Sequence, residues 1–198
     1  MRRIVVCAAV LFMLLCGSAV WVYGESSVSP SSVINRIGPG TVRIRLEEPA
    51  FEPEKVRTPG ESFSKDPRVR NLGDKDIYTF LEITVPAGII RTVSAGKTAG
   101  EAARTDWFAF RADPSWKLLD TQMTDNASVY IYGFGQKLCP GEQTVPLFSE
   151  MKTVSYLDGT FPDGKELLIG IRARAAACEG LTGDLSEAYA ACLAGTGD

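Results

Sequence analysis

Hydrophobic and polar positions alternate along several short runs of the chain. In "TVRIRLEE" (41–48), Val42, Ile44 and Leu46 share one face, and Arg43, Arg45 and Glu47 the other. In "DIYTFLEITV" (76–85), Ile77, Thr79, Leu81, Ile83 and Val85 oppose Tyr78, Phe80, Glu82 and Thr84. The pattern recurs in "DWFAF" (106–110), in "SVYIYGF" (128–134) and in "ELLIGIRARA" (166–175), where Ile169, Ile171 and Ala173 oppose Arg172 and Arg174. A period of two in Val, Ile and aromatic residues predicts half-buried strands. Turn signals separate the runs: "GPG" (38–40), "TPGE" (58–61), "NLGD" (71–74), "CPGE" (139–142) and "PDGK" (162–165). Two runs read as helix. "GKTAGEAAR" (96–104) predicts a short connecting helix. "DLSEAYAACLA" (184–194) predicts a C-terminal one, with Leu185, Ala188, Tyr189, Cys192 and Leu193 on one face and Asp184 with Glu187 as its N-terminal cap. Many short strands with frequent turns predict an all-β fold, a β-sandwich with short helical decorations.

Pro-Gly-Glu occurs twice, as Pro59-Gly60-Glu61 and Pro140-Gly141-Glu142. Proline presets φ at the second position of a type II turn and glycine takes the positive φ of the third. Both are therefore read as structural corners leading into strands. Pro146 blocks ladder pairing locally, so Leu147 and Phe148 are expected as a plug at a sheet edge.

The first 24 residues stand apart. Arg2 and Arg3 precede an uncharged apolar run that closes in Gly17, Ser18 and Ala19, the layout of a cleaved secretory signal peptide rather than of a permanent anchor. Residues 25–40, rich in Ser, Pro and Gly, are expected as a flexible lead into the first strand, and 41–198 as one β-sandwich domain. The secreted product has a mixed-sign, mildly acidic composition. Residues 1–24 carry two arginines and no acids, which leaves 19 basic against 24 acidic side chains. No basic tract marks a nucleic-acid partner.

Three cysteines remain after the signal: Cys139, Cys178 and Cys192. Outside the cell a disulfide is permitted, and Cys178 with Cys192 is the favoured pair. Closing so short a loop would stabilise by about 3 kcal/mol. Cys139 is then a free thiol, a link between subunits, or the partner of one of the other two.

The chain has no histidine. That removes Ser-His-Asp and Cys-His catalysis and the usual zinc-hydrolase ligand sets. "AGKT" (95–98) lacks the glycine a phosphate loop needs, since Arg91 stands there. Asp74 and Asp76 offer either calcium ligands or an acidic turn. Tyr130, Tyr132 and Phe134 offer either a binding patch for a glycan or protein or the second buried face of a central strand. No catalytic, cofactor or metal residue is assigned.

Together, the motifs carry a resemblance. Asn35 precedes "GTVRIRLEE" (40–48); "TPGESFSKDPRVRNLGDKDIYTFLEITVP" (58–86) follows; then come Trp116, "YIYGFGQKLCPGEQTVPLFSEM" (130–151), and "LLIGIRARAAACEG" (167–180) before an Ala-rich helix. In this order and spacing the chain resembles the TasA/camelysin family of secreted biofilm-matrix proteins of Gram-positive bacteria. The resemblance implies a jelly-roll-like β-sandwich, export through the SipW-type signal peptidase, no cofactor, and self-association or association with related matrix and surface proteins. In fibre-forming members an N-terminal strand of one subunit completes the sheet of its neighbour; here that segment is about residues 25–37. The family also implies a camelysin-like metalloprotease activity, which a chain without histidine supports poorly.

Overall fold

The computed structural model describes residues 41–51, 59–93, 98–159 and 167–194, all within one compact unit spanning 35–198. The signal-like segment 1–24, the lead 25–40 and the turn at 162–165 lie outside the described residues.

The fold is an all-β sandwich with one C-terminal helix among the described residues. The described residues form strands β1 (Ile44–Glu47), β2 (Ser62–Ser64), β3 (Arg68–Asn71), β4 (Ile77–Val93), β5 (Ala99–Asp106), β6 (Phe108–Phe110), β7 (Trp116–Met123), β8 (Ala127–Phe134), β9 (Glu150–Thr153), β10 (Tyr156–Gly159) and β11 (Gly170–Ala177). The helix, α1, is Leu185–Ala194. Three antiparallel sheets form: β1 with β3, β2-β9-β6, and a six-stranded sheet built on β4.

β4 has four partners. Its first half pairs with β11 on one edge and β8 on the other, from Ile77↔Ala177 to Thr84↔Gly170 and from Phe80↔Gly133 to Pro86↔Ala127. Its second half pairs with β5, from Ala87↔Asp106, and with β10. The sequence pattern stops at Val85, yet the strand runs on to Val93 through Pro86. The reason lies in the ladder. Alternate residues bond to opposite edges, and Pro86 falls on the β11–β5 edge between the last pair to β11 and the first to β5. No partner there needs the missing N–H, and the Pro86 carbonyl accepts from Trp107 N at 2.8 Å.

The odd face of β4 supplies the main core. Ile77, Leu81, Ile83 and Val85 are fully buried with Phe63, Val69, Trp107, Phe108, Leu147, Phe148 and Met151. The even face holds a second, smaller cluster in which Tyr78 and Phe80 pack under Ala188 and Cys192 of α1. Glu82, also on that face, ties α1 and β11 to the centre: it accepts from Tyr189 Oη at 2.7 Å and from Arg174 Nε. At Gly133 a Cβ would lie only 3.2 Å from Phe80 and Leu119, so the glycine lets β8 pass close under the helix. Asp184 caps α1 as expected, accepting from Ser186 N at 2.7 Å and Glu187 N at 3.0 Å.

One expectation is overturned. Of the run 96–104, expected as a helix, the described part is strand β5. Its alanines favour helix in isolation, but a hairpin return along the open edge of β4 offers a ready ladder, and that tertiary pairing wins.

Phe80→Ala should lower unfolding stability by about 3–5 kcal/mol, because Phe80 is fully buried and its ring lies 5.3 Å from that of Tyr189. Urea denaturation checks this.

Candidate functional site

The open edges of the sheets are treated in two different ways. β5, β7 and β10 are outer strands, and each carries a bulge. Two residues, Gly100 and Glu101, oppose Thr92; Leu119 is extra between Leu118↔Tyr132 and Asp120↔Ile131; Leu157 is extra between Tyr156↔Thr92 and Asp158↔Arg91. In all three the extra residue sits on the outer strand. On β7 the Asp120 carboxylate also takes the outward Thr121 N–H at 2.8 Å. Bulges and side-chain plugs of this kind blunt an edge against a further strand.

β1 and β11 lack bulges, as do β2 and β6 at the edges of the three-stranded sheet, since their ladders run without a register shift. Leu72 N donates to Arg43 O, which fixes Arg43, Arg45 and Glu47 toward β3 and turns the backbone of Ile44 and Leu46 outward. Cys178 N donates to Asp76 O, which likewise turns Ile171, Ala173, Ala175 and Ala177 away from β4. β1 and β11 run close to each other, with Cα atoms within 8 Å, and no hydrogen bond joins them among the described residues. The result is a seam of strand backbone lined by two regular edges. Its floor is apolar: Ile44, Leu46, Ile171, Ala173 and Ala175 pack against the main core. The sequence signal for it is the absence of proline from "RIRLE" (43–47) and "GIRARAAA" (170–177). That signal cannot say that the two edges meet.

The turns fall where the sequence placed them. Gly60 and Gly141 take φ of 78° and 81° after Pro59 and Pro140. The first leads into β2. The second, expected to lead into a strand, leads instead into residues 141–147, outside the named strands, which hydrogen-bond beside β3 through Glu142 O and Thr144 N and to Pro67 O through Leu147 N. Leu147 and Phe148 are buried.

The three cysteines are free thiols: Cys139 exposed, Cys178 half-buried, Cys192 buried. The expected Cys178–Cys192 bridge is therefore not formed. Both side chains border the small cluster beneath α1, and their thiols remain separate. Burial pushes the Cys192 thiol up to about 12. Burial, then the carboxylates of Asp76 and Glu142, raise Cys139 above its ordinary value, so neither is an activated nucleophile.

Tyr130 and Tyr132 are partly buried around Phe110, with ring centroids 5.7 Å and 6.1 Å away, and Phe134 is buried. Tyr130 Oη donates to Asp106 Oδ2 at 2.5 Å. Ser128 Oγ donates to Asp106 Oδ1 at 2.7 Å, and Arg104 Nη2 reaches Ala127 O and Ser128 Oγ. This network staples the end of β5 to β8. Asp74 Oδ1 accepts from Thr41 N at 2.6 Å. Among the described residues no group of three acidic or thiol side chains is arranged to hold a metal ion. No family model, curated protein or solved structure matches the chain.

Two measurements follow from these environments. Thiol titration of the native protein should label Cys139 fastest and Cys192 only on unfolding. Tyr130 is held up to about 12, first by burial and then by Asp106. Its folded value lies above the unfolded value near 10. The folded state therefore keeps the proton more tightly, and the contribution is intact below pH 10 and lost between about 10 and 12. Tyr130→Phe should make stability less sensitive to pH in that window, measured by urea unfolding at a series of alkaline pH values.

Proposed function

We propose that the protein is a secreted, non-enzymatic structural subunit that self-associates in an extracellular matrix fibre or surface coat by accepting a neighbour's extended segment at the β1–β11 seam. The observation that carries this reading is that three outer strands carry bulges, whereas β1 and β11, both regular, run close together with no hydrogen bond between them among the described residues. An added strand would satisfy backbone groups on both sides and set alternate side chains on the apolar floor. The donor is the segment of about residues 25–37 of another copy, which leads directly into the chain of β1. A strand needs about 4.8 Å on each side, so β1 swings a few ångström away from β11 to admit it. Pro30 lies toward the start of that segment, while 33–37, "VINRI", is free of proline. Export through the leader, the absence of histidine and the resemblance to matrix-fibre proteins agree with this reading. No observation favours a protease, and the part-buried packing of Tyr130 and Tyr132 gives a glycan-binding patch little support.

Electron microscopy of the secreted mature protein should show filaments, and deletion of residues 25–37 should abolish them. Ala173→Pro removes an outward N–H from the seam without touching the β4 ladder. It should likewise suppress assembly while circular dichroism stays native. A wild-type protein that remains monomeric by light scattering across concentration and pH would overturn the reading.

A further inference from the structure

A second unusual arrangement lies just past the end of β1. Lys65, in the link between β2 and β3, is 3 % exposed. Its Nζ lies 2.8 Å from Glu48 Oε1 and 3.7 Å from the centroid of the Phe51 ring. An ammonium carries three donors, and this one meets a single carboxylate oxygen and an aromatic face among the described residues. The contact is close without hydrogen-bond geometry, and Glu48 Oε1 is buried with no hydrogen-bond partner. The neighbouring acid does not complete the site: Asp66 Oδ1 accepts from Ala50 N at 2.8 Å and Oδ2 is held by Arg68. A buried ion pair with incomplete hydrogen bonding retains much of its desolvation cost. The chemical change that removes both charges at once is condensation.

We propose that Lys65 and Glu48 join in an intramolecular amide. Proton transfer from the ammonium to the carboxylate leaves an amine and a carboxylic acid. Nζ attacks Cδ, the N–C bond forms, and the C–OH bond breaks. The hydroxyl leaves with a proton from nitrogen as water. Of the ammonium's three protons, one stays on the amide and two leave in the water, so no outside reagent is required. Held groups react with effective molarities of about 10⁵ M or more, which favours an amide that free amine and acid in water do not form. The Glu48 side chain keeps 23 % of its surface exposed, which gives the released water a way out.

The bond has a mechanical use if the assembly reading holds. β1 is held to the domain by four residue pairs with β3, and it is the strand through which load from residues 25–37 enters. An amide between Glu48 and Lys65 anchors the end of β1 covalently, in a protein whose three described cysteines form no disulfide. The bond itself does not depend on that reading.

The test is peptide mapping of the mature secreted protein by tandem mass spectrometry. The expected result is a branched tryptic peptide joining the stretches that hold Glu48 and Lys65, lighter than their sum by one water, with no cleavage after Lys65. Lys65→Arg keeps the positive charge and should give only linear peptides of full mass. Wild-type protein yielding linear peptides cleaved after Lys65 overturns the proposal. So does a water loss that maps instead to Asp158-Gly159 or Asp163-Gly164, where succinimide formation removes the same mass. Filament formation is scored separately, so loss of the amide and loss of assembly are distinguishable.

Discussion

The hydrogen-bond ladder of β4 is the constraint on which the rest of the structure depends. Seventeen residues of one strand carry β11, β8, β5 and β10 in two successive pairs. A strand paired on both edges and covered on both faces has few backbone groups left for water, so its side chains can be apolar on both faces. β4 meets that condition along most of its length, with Ile77, Leu81, Ile83 and Val85 toward one core and Tyr78 and Phe80 toward the other. The polar exception, Glu82, is answered by Arg174 and Tyr189 from the two elements that cover it. Helix and sheet are thus fastened at the same residue. A buried charge left without such partners would be strongly destabilising.

β4 absorbs four partners, and β5, β7, β10 and β11 are left as edges of its sheet. Bulges on β5, β7 and β10 interrupt the ladder where a foreign strand would otherwise dock. The β1–β11 seam is different in kind. Its two edges shield each other sideways but leave each other's backbone groups unpaired. On the proposed reading, a strand added at the seam gains hydrogen bonds on two sides. Glu48 and Lys65 sit at the end of the strand that must move for that to happen, which is why a bond between them would bear on assembly as well as on stability.

Much of this was legible from local pattern. The alternating runs located β1, the start of β4, β6, β8 and β11, because a period of two is imposed by the pleat itself and needs no knowledge of neighbours. The Pro-Gly corners and the Asp184 cap are equally local, fixed by φ preferences and by one side chain reaching its own backbone. What local pattern misjudged is where neighbours decide. The Ala-rich run became β5 because β4 offered it an edge. β4 outran Pro86 because that proline falls between two partners. Cys178 and Cys192 border one cluster without joining, which their spacing in the sequence could not tell.

The sequence by itself determined the class of fold, the position of its corners and the lack of any histidine-based chemistry, since these follow from side-chain type and short-range geometry. Only the tertiary structure decided which edges are blunted and which lie open, and which lysine is sealed against which carboxylate. Those facts depend on contacts between residues far apart in the chain: strand β1 near β11, and Glu48 against Lys65. No periodicity in the sequence encodes such contacts, because they arise from how the strands are hung on β4.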